Sequence, residues 1–197
     1  MTTALVILGG YLLGSIPFGY WLVRLFKGED VRTVGSGSIG ASNVWRTYGR
    51  SYGVPVVVFD IAKGFVPALL GTILVDELTG ALAGGLAMLG HWRPIFLRLG
   101  KGGKAVATAA GTLVGIATLL GGIAMGLWLV TFLITRYTSV ASMVVAVALP
   151  FIALVLGEPW PVVVFAIAAS SAVLLLHRPN FARLRAGTES RFRLRRA

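Results

Sequence analysis

Long apolar stretches with few charges recur along the whole of this chain, and they constrain its fold more than any other feature. Residues 3–26 form the first stretch, in which Arg24 is the first charged residue. A helix rises about 1.5 Å per residue, so roughly 20 apolar residues cross the roughly 30 Å hydrocarbon core of a bilayer. In lipid only a helix or a closed barrel satisfies every backbone hydrogen bond, so repeated stretches of this length predict membrane-spanning helices.

Composition supports a membrane location. Of the 197 residues, 56% are hydrophobic and only 13% are charged, whereas about 25% are charged in a typical soluble domain. A water-soluble core could not bury so many apolar side chains, which excludes a soluble enzyme. The chain has no Cys, and its two His residues are far apart in sequence. We therefore expect no disulfide, no metal and no other cofactor.

The apolar stretches predict an all-α integral membrane protein, a single membrane domain over residues 1–197 with about seven transmembrane segments. The predicted segments are 3–26, 54–75, 78–97, 105–116, 118–135, 137–156 and 160–176. The run from 105 to 135 is too long for one straight helix, and basic residues flank both of its ends. Because the positive-inside rule puts both ends in the cytoplasm, we predict a pair of shortened or re-entrant helices there. The glycines that offer the turn are Gly115, Gly121 and Gly122.

Basic residues set the predicted orientation. The chain has 18 Lys and Arg against 7 Asp and Glu, a net charge of +11. With the N-terminus outside and the C-terminus in the cytoplasm, loops 27–53, 98–104 and 177–197 face the cytoplasm and hold most of this charge. The outer turns hold Asp76, Glu77 and Glu158. In a membrane protein such a charge indicates anionic lipid or a phosphorylated substrate as partner, and we expect no nucleic acid.

Three of the predicted cytoplasmic segments combine basic residues with glycines. They read GSGSIGASNVWRTYG at 35–49, GHWRPIFLRLGKGGKAVAT at 90–108 and HRPNFARLRAGTE at 177–189. Glycine lets backbone N–H groups approach an anion while Lys and Arg neutralise its charge, which is the chemistry of phosphate binding. Positive loops can also serve only to set topology, but topology requires no glycines. Neither a dinucleotide fingerprint nor a Walker A motif fits, because no βαβ unit surrounds 35–40 and no Ser or Thr follows Lys104.

Four titratable residues stand out beside these loops. Asp60 and Lys63 share one face of the second predicted span, where they form either a structural ion pair or a proton relay. His91 is interpreted as orienting a loop at the interface. His177 ends the last predicted span, where it could accept a proton from a hydroxyl, bind a phosphate or cap the helix.

The three segments, with GSIPFG at 14–19 and the triplet Asp60, Lys63 and Gly64, closely resemble the bacterial acyl-phosphate:glycerol-3-phosphate acyltransferase family. The family patterns are near GSGNxGATNVxRxxG, GHxFPxFxxFKGGKGVAT and HRxNIxRLxxGxE. The resemblance implies an inner-membrane enzyme with a cytoplasmic active site. It would transfer a fatty acyl group from acyl phosphate to the 1-hydroxyl of glycerol 3-phosphate, forming lysophosphatidic acid and phosphate in the first acylation of phospholipid synthesis. It also implies a functional link to an enzyme that makes acyl phosphate.

The resemblance implies the site residues too. The catalytic residues would be Ser36, Arg46, Lys104 and His177. The substrate-binding residues would be Gly37, Asn43, Lys101, Gly102, Gly103, Ser142, Arg178 and Asn180. Lys104 and Arg46 would clamp phosphate, and the N–H groups of Gly102 and Gly103 would donate to it. Either His177 or a substrate phosphate oxygen would accept the hydroxyl proton.

The chain departs from the family pattern at six positions. The departures are Ser38 for Asn, Ile39 for Pro or Val, Ser42 for Thr, Arg93 for an aromatic residue, Ala105 for Gly and Pro179 for Glu.

Two other functions compete with acyl transfer. One alternative is a carrier of organic phosphate, which would need a site reachable from both faces of the membrane. The other is a lipid-binding scaffold that uses the Arg-rich tail from Arg183 to Arg196.

Overall fold

The computed structural model describes residues 1–192, and all regular structure in them is helical. The α-helices are α1 Thr2–Gly14, α2 Phe18–Lys27, α3 Ala41–Tyr48, α4 Arg50–Leu74, α5 Glu77–Trp92, α6 Val106–Ile116, α7 Thr118–Thr135, α8 Thr138–Val155, α9 Trp160–Leu176 and α10 Arg178–Arg185. The predicted all-α fold class is therefore confirmed. Residues 193–197, which end the predicted cytoplasmic tail, lie outside the described residues.

Several helices are long and apolar enough to cross a membrane. Four stretches qualify by length and composition, namely Thr2–Lys27, Arg50–Leu74, Thr118–Thr135 and Thr138–Val155. A fifth is the pair α9 and α10, which meet at a bend of 51°. The chain is therefore a multi-pass membrane protein. The count of seven segments and the orientation of the termini stay predictions.

Pro17 interrupts the first span. Helix α1 ends at Gly14 and α2 begins at Phe18, and between them the Ile16 carbonyl accepts hydrogen bonds from the Phe18 N–H at 3.1 Å and from Lys63 Nζ at 3.2 Å. Gly10 and Gly14 lie so close to the α5 backbone that a Cβ on either would collide with it. Small residues thus bring α1 and α5 into close contact, as is common between membrane helices.

Helix α5 is shorter than the predicted span 78–97. It begins after Asp76, whose carboxylate accepts the Thr79 N–H at 2.7 Å, and it ends at Trp92. Pro94 lacks an N–H and disfavours a helical residue before it, so the helix cannot continue. A short 3₁₀ turn and two left-handed residues, Arg98 and Leu99, then return the chain towards residues 101–104.

The run from 105 to 135 is divided at Ala117 into α6 and α7, so the predicted break is present, but only α6 is shortened, since α7 has 18 residues and is long enough to cross a membrane. Helix α6 has 11 residues and rises only about 16 Å. Gly115 and Gly121 do not form the turn as expected. Instead they allow close packing, because a Cβ on Gly115 would press on α4 and one on Gly121 would collide with α6.

The three glycine-containing segments and Arg136, at the end of α7, meet at one end of the helix bundle. The guanidinium of Arg46 donates to the Ser190 carbonyl, Lys104 donates to Asn180, and the Phe192 N–H donates to the Arg136 carbonyl. Helix α6 therefore starts, and α7 ends, at the same end of the bundle. This arrangement assembles the three glycine-containing segments around one cavity.

Candidate active site

A cavity of about 500 Å³ opens among α3, α6, α7, α8, α9 and α10 at the basic end of the bundle. Its polar end is lined by Ser36, Arg46, Lys104, Ser139, His177 and Asn180. Its apolar part is lined by Leu113, Met125, Leu129, Val145, Leu149 and Ala169. An apolar pocket with a few convergent polar groups is typical of a small-molecule site, and the apolar side chains here are of the kind that contacts an alkyl chain.

The amino ends of three helices face the polar end of this cavity. Residues at the starts of α3, α6 and α10 line it, including Ala41, Val106 and Asn180. No side chain caps any of these three helices. The first N–H groups of a helix lack intrahelical acceptors and carry partial positive charge, so the three ends together favour an anion. The contribution of α6 was not predicted from the sequence, although a helix starting directly after a Gly-rich basic loop is a recognisable signal.

Asn43 folds the first loop. Its side-chain Oδ1 accepts the Ser36 N–H at 2.9 Å, and its Nδ2 donates to the carbonyls of Val31, Val34 and Ser38 at 2.9–3.3 Å. The amide is 2% exposed and engaged by the loop backbone, so Asn43 shapes the loop and sets the position of Ser36. Gly37 adopts a left-handed conformation with φ of 66°, and its N–H donates to Val34.

Arg46 links the first loop to the C-terminal segment. Its side chain is half-buried and donates to the Ser190 carbonyl at 3.2 Å. Burial lowers the pKa of Arg46 below its usual value, but an arginine remains charged near neutral pH. The guanidinium is therefore a fixed positive charge on the wall of the cavity.

The glycines at 102 and 103 act differently from the prediction. The Gly102 N–H donates to the Trp92 carbonyl at 3.1 Å, and the Gly103 N–H donates to the His91 carbonyl at 3.0 Å. The expectation that these N–H groups bind a phosphate is thus wrong, because both already have acceptors within the chain. Glycine is needed here for close packing, since a Cβ on Gly103 would collide with the His91 ring.

Lys101 and Lys104 point in different directions from this loop. Lys101 is exposed and donates to the Ser36 carbonyl at 3.5 Å, so it joins the first two loops. Lys104 lines the cavity and donates to Asn180 Oδ1. Burial, aided by the positive charge of Arg183, lowers the pKa of Lys104 to about 8. Lys104 is therefore mostly protonated at neutral pH and can bind an anion in the cavity.

Glu189 is a residue beside the site that was not predicted from the sequence. Its carboxylate accepts hydrogen bonds of 2.7 Å from Ser139 Oγ, Asn180 Nδ2 and Arg183 Nε. Burial alone would raise the pKa of Glu189, but these three hydrogen bonds outweigh it and hold the pKa below its usual value. Glu189 thus orients Asn180 towards Lys104. Its place at the end of the motif HRPNFARLRAGTE was the available signal.

His177 sits at the junction of α9 and α10 and lines the cavity. Its Nδ1 lies 2.8 Å from the Val173 carbonyl. A carbonyl only accepts hydrogen bonds, so Nδ1 carries the proton in the neutral ring and Nε2 is an acceptor. Burial and the charge of Lys104 lower the pKa of His177 to about 4. The ring is therefore neutral near pH 7 and caps the end of α9 while offering Nε2 as an acceptor.

The structure brings most of the predicted site residues to the cavity and leaves others outside. Those that line it are Ser36, Asn43, Arg46, Lys104, Ser142, His177 and Asn180. Ser142 Oγ donates to the Thr138 carbonyl and accepts from Trp128. Arg178 is exposed, and the lining within residues 1–192 includes neither it nor Gly37 nor residues 101–103. In the same described part of the chain, no three His, Asp or Glu side chains gather as a metal site.

Comparisons with known proteins match nearly the whole chain. A sequence model of the family described as "Glycerol-3-phosphate acyltransferase" matches residues 4–187. A curated glycerol-3-phosphate acyltransferase of Geotalea daltonii is 42% identical over 195 residues, covering 98% of this chain and 100% of the relative. Another, from Rhodospirillum rubrum, is 46% identical over 192 residues, covering 93% and 88%.

Two solved structures are also similar. The crystal structure of PlsY, described as an integral membrane glycerol 3-phosphate acyltransferase, was solved in a glycerol 3-phosphate form. It matches with a TM-score of 0.92 and 38% identity, covering 98% of this chain and 96% of that one. A lysophosphatidic acid form matches with a TM-score of 0.88 and 35% identity over the same shares.

Proposed function

We propose, from the premise that this chain belongs to the glycerol-3-phosphate acyltransferase family, that it transfers a fatty acyl group from acyl phosphate to the 1-hydroxyl of glycerol 3-phosphate. The products are lysophosphatidic acid and phosphate. The observation that carries this proposal is one cavity with a cationic end and an apolar part, since both substrates carry phosphate and one carries an alkyl chain.

The cationic end binds the phosphate groups. Lys104 and Arg46 supply full positive charges, and the amino ends of α3 and α6 supply free N–H groups. In the reaction the hydroxyl oxygen attacks the acyl carbonyl carbon, and the bond between that carbon and the phosphate oxygen breaks. Negative charge grows on the carbonyl oxygen and on the departing phosphate, where fixed positive charge lowers the barrier. Acyl phosphate is an activated donor, so no covalent acyl-enzyme is required.

A phosphate oxygen of the substrate accepts the hydroxyl proton. Burial and the Lys104 charge lower the pKa of His177 to about 4, which makes this ring a weak base at neutral pH. A phosphate group with a second pKa near 6 is a better proton acceptor. His177 Nε2 accepts a hydrogen bond from the glycerol and, with Asn180, holds the reacting hydroxyl in position.

The reaction takes place at the cytoplasmic face of the inner membrane. Basic segments from loops 27–53 and 98–104 and from the C-terminal part, residues 177–192, lie beside the cavity, and such loops stay in the cytoplasm. The lipid product enters the membrane in which the enzyme lies. The donor is supplied by an enzyme that makes acyl phosphate.

Acyl transfer by the purified protein in lipid tests this proposal. Palmitoyl phosphate and glycerol 3-phosphate are supplied, with palmitoyl-CoA as a parallel donor. We expect lysophosphatidic acid from palmitoyl phosphate alone, with loss of product in Lys104→Ala. Arg185→Ala removes an exposed charge from the same end of the bundle and should remain active. Folded protein that forms no product from either donor would overturn the proposal.

A further inference from the structure

Three ionisable side chains are buried together behind the polar end of the cavity. Lys63 Nζ lies 2.8 Å from Asp60 Oδ1, and His91 Nδ1 lies 3.5 Å from the same oxygen. The three side chains are between 1% and 4% exposed. Lys63 Nζ also donates to the Ile16 carbonyl at the Pro17 break. Lys63 of this buried cluster of Asp60, Lys63 and His91 thus bonds α4 to the first span, and the His91 ring of α5 packs beside Asp60 with its Nδ1 not hydrogen-bonded.

His91 connects the cluster to the loop that carries Lys104. The His91 carbonyl accepts the Gly103 N–H at 3.0 Å, and the His91 ring packs directly on Gly103. Gly103 immediately precedes Lys104. A shift of the His91 ring would therefore move Gly103 and, with it, the backbone that carries the Lys104 side chain. Asp60, His91 and Lys104 all line the cavity, and the mechanism above assigns no step to Asp60 or His91.

The stability of the packed helices does not require a buried cluster of charged side chains. Removing charges from water is costly, and a well-packed apolar contact of similar volume is often at least as stabilising. The other buried residues of α4 and α5 are uncharged and mostly glycine and alanine, which pack these helices without charge. The ionisable member of the cluster on α5, His91, is the one that contacts Gly103.

We propose that Asp60 and Lys63 hold the His91 ring in place, and that His91 is a positioning residue that sets the location of Lys104 through Gly103. The effect on substrate binding rests on the proposed function, whereas the placement of Lys104 does not. Lys104 is held in a buried setting, facing Arg183 and Glu189 of the C-terminal segment, Arg46 of α3 and Lys101 of its own loop. Loosening the loop exposes the amine to water and to a different set of charges.

Two variants test the proposal. His91→Ala removes the ring that supports Gly103. The double change Asp60→Leu with Lys63→Met replaces the ion pair by apolar side chains and leaves no unpaired buried charge, so it keeps the helices packed. Leu120→Ala is the control, because Leu120 is 0% exposed in α7 and does not line the cavity. It lowers stability without touching the loop.

The first readout needs no catalysis. The rate at which acetic anhydride labels Lys104, followed by mass spectrometry against pH, gives the pKa of its amine, which is about 8 in the parent. We expect this pKa to rise by about one pH unit towards the ordinary lysine value in both cluster variants. It should not change in Leu120→Ala. An unchanged Lys104 pKa in both cluster variants would overturn the proposal, even if both melt at lower temperature.

The second readout is kinetic. If the chain is the proposed acyltransferase, both cluster variants should lower kcat/KM for glycerol 3-phosphate about tenfold, because a displaced Lys104 binds phosphate and stabilises the transition state less well. Leu120→Ala should leave kcat/KM unchanged. Equal kinetic losses in the control and in the cluster variants would show that the cluster only stabilises the fold. Parent protein without acyl transfer would count against the proposed function only, since the labelling result would still decide the position of Lys104.

Discussion

Lys104 donates a hydrogen bond to the side-chain oxygen of Asn180, at the polar end of the cavity and 76 positions along the chain. The amide nitrogen of Asn180 in turn donates to Glu189 at 2.7 Å. A cation of the second glycine-containing segment is therefore oriented by a carboxylate of the third. This connection makes the charge state of Lys104 sensitive to residues that touch no substrate.

The rate of acyl transfer should fall at alkaline pH because Lys104 loses its proton. The pKa of Lys104 is lowered to about 8 by burial, so the amine is charged below that pH and neutral above it. We expect kcat/KM to fall about tenfold for each pH unit above 8, since kcat/KM reports the free enzyme. In Lys104→Arg any remaining activity should persist to higher pH, because guanidinium does not titrate there. A parent profile that stays level up to pH 10 would contradict the assignment.

Glu189→Gln should move the alkaline limb of the pH profile, the fall of kcat/KM above pH 8, to lower pH. The negative charge of Glu189 raises the pKa of Lys104, opposing the larger effect of burial. Removing that charge lets the pKa fall below about 8, so activity is lost at a less alkaline pH. The melting temperature should fall as well, because Arg183 loses its carboxylate partner. The measurement is kcat/KM against pH for both proteins, and a limb that moves to higher pH would refute the prediction.

His177→Ala should weaken substrate binding more than it slows the chemical step. With a pKa of about 4, His177 is neutral near pH 7, and in the proposed mechanism it accepts a hydrogen bond and does not act as the base. We expect KM for glycerol 3-phosphate to rise about tenfold and kcat to fall by less than tenfold. His177→Asn, whose amide oxygen can also accept a hydrogen bond, should recover part of the binding. A loss of kcat of about a thousandfold with unchanged KM would identify His177 as the base instead.

Ala105→Val should destabilise the fold, whereas Ala105→Gly should change it little. Ala105 has a left-handed backbone with φ of 56° and is 3% exposed. A β-branched residue is more strained there than alanine, and we expect a loss of about 1–2 kcal/mol. Glycine relieves the strain but loses a buried methyl group of about 0.8 kcal/mol. Thermal unfolding in one detergent compares the three proteins, and equal stability of the valine variant would contradict the strain.

Cysteine labelling should test the seven-segment topology, since the parent has no Cys. Single cysteines at Asp76, Thr118 and Glu158 should react with a membrane-impermeant reagent from outside intact cells. A cysteine at Arg185 should react only after the cytoplasm is opened. Thr118 lies at the exposed start of α7, just after the Ala117 break. Reaction at 118 from the cytoplasm alone would show that α6 and α7 form a re-entrant element.

The amino-acid sequence by itself determined the membrane location, the all-helical fold and the broken run at 105–135. These follow from local properties, because the length of an apolar stretch and the charges at its ends act along a single segment. The motifs also sufficed to indicate the three loops and the family. The sequence predicted the ion pair of Asp60 and Lys63 as well, since residues three apart share one helix face.

Only the tertiary structure decided what each polar group bonds to. The Gly103 N–H donates to the His91 carbonyl, and the Asn43 side chain hydrogen-bonds to its own loop. The Glu189 carboxylate accepts hydrogen bonds from Ser139, Asn180 and Arg183. Arg46 reaches Ser190 across 144 positions of the chain. A backbone or side-chain donor bonds to whichever acceptor the packed helices bring near it, and spacing along the chain does not specify that acceptor. For the same reason the neutral His177 and the lowered pKa of Lys104 depend on burial that arises only when all three segments meet.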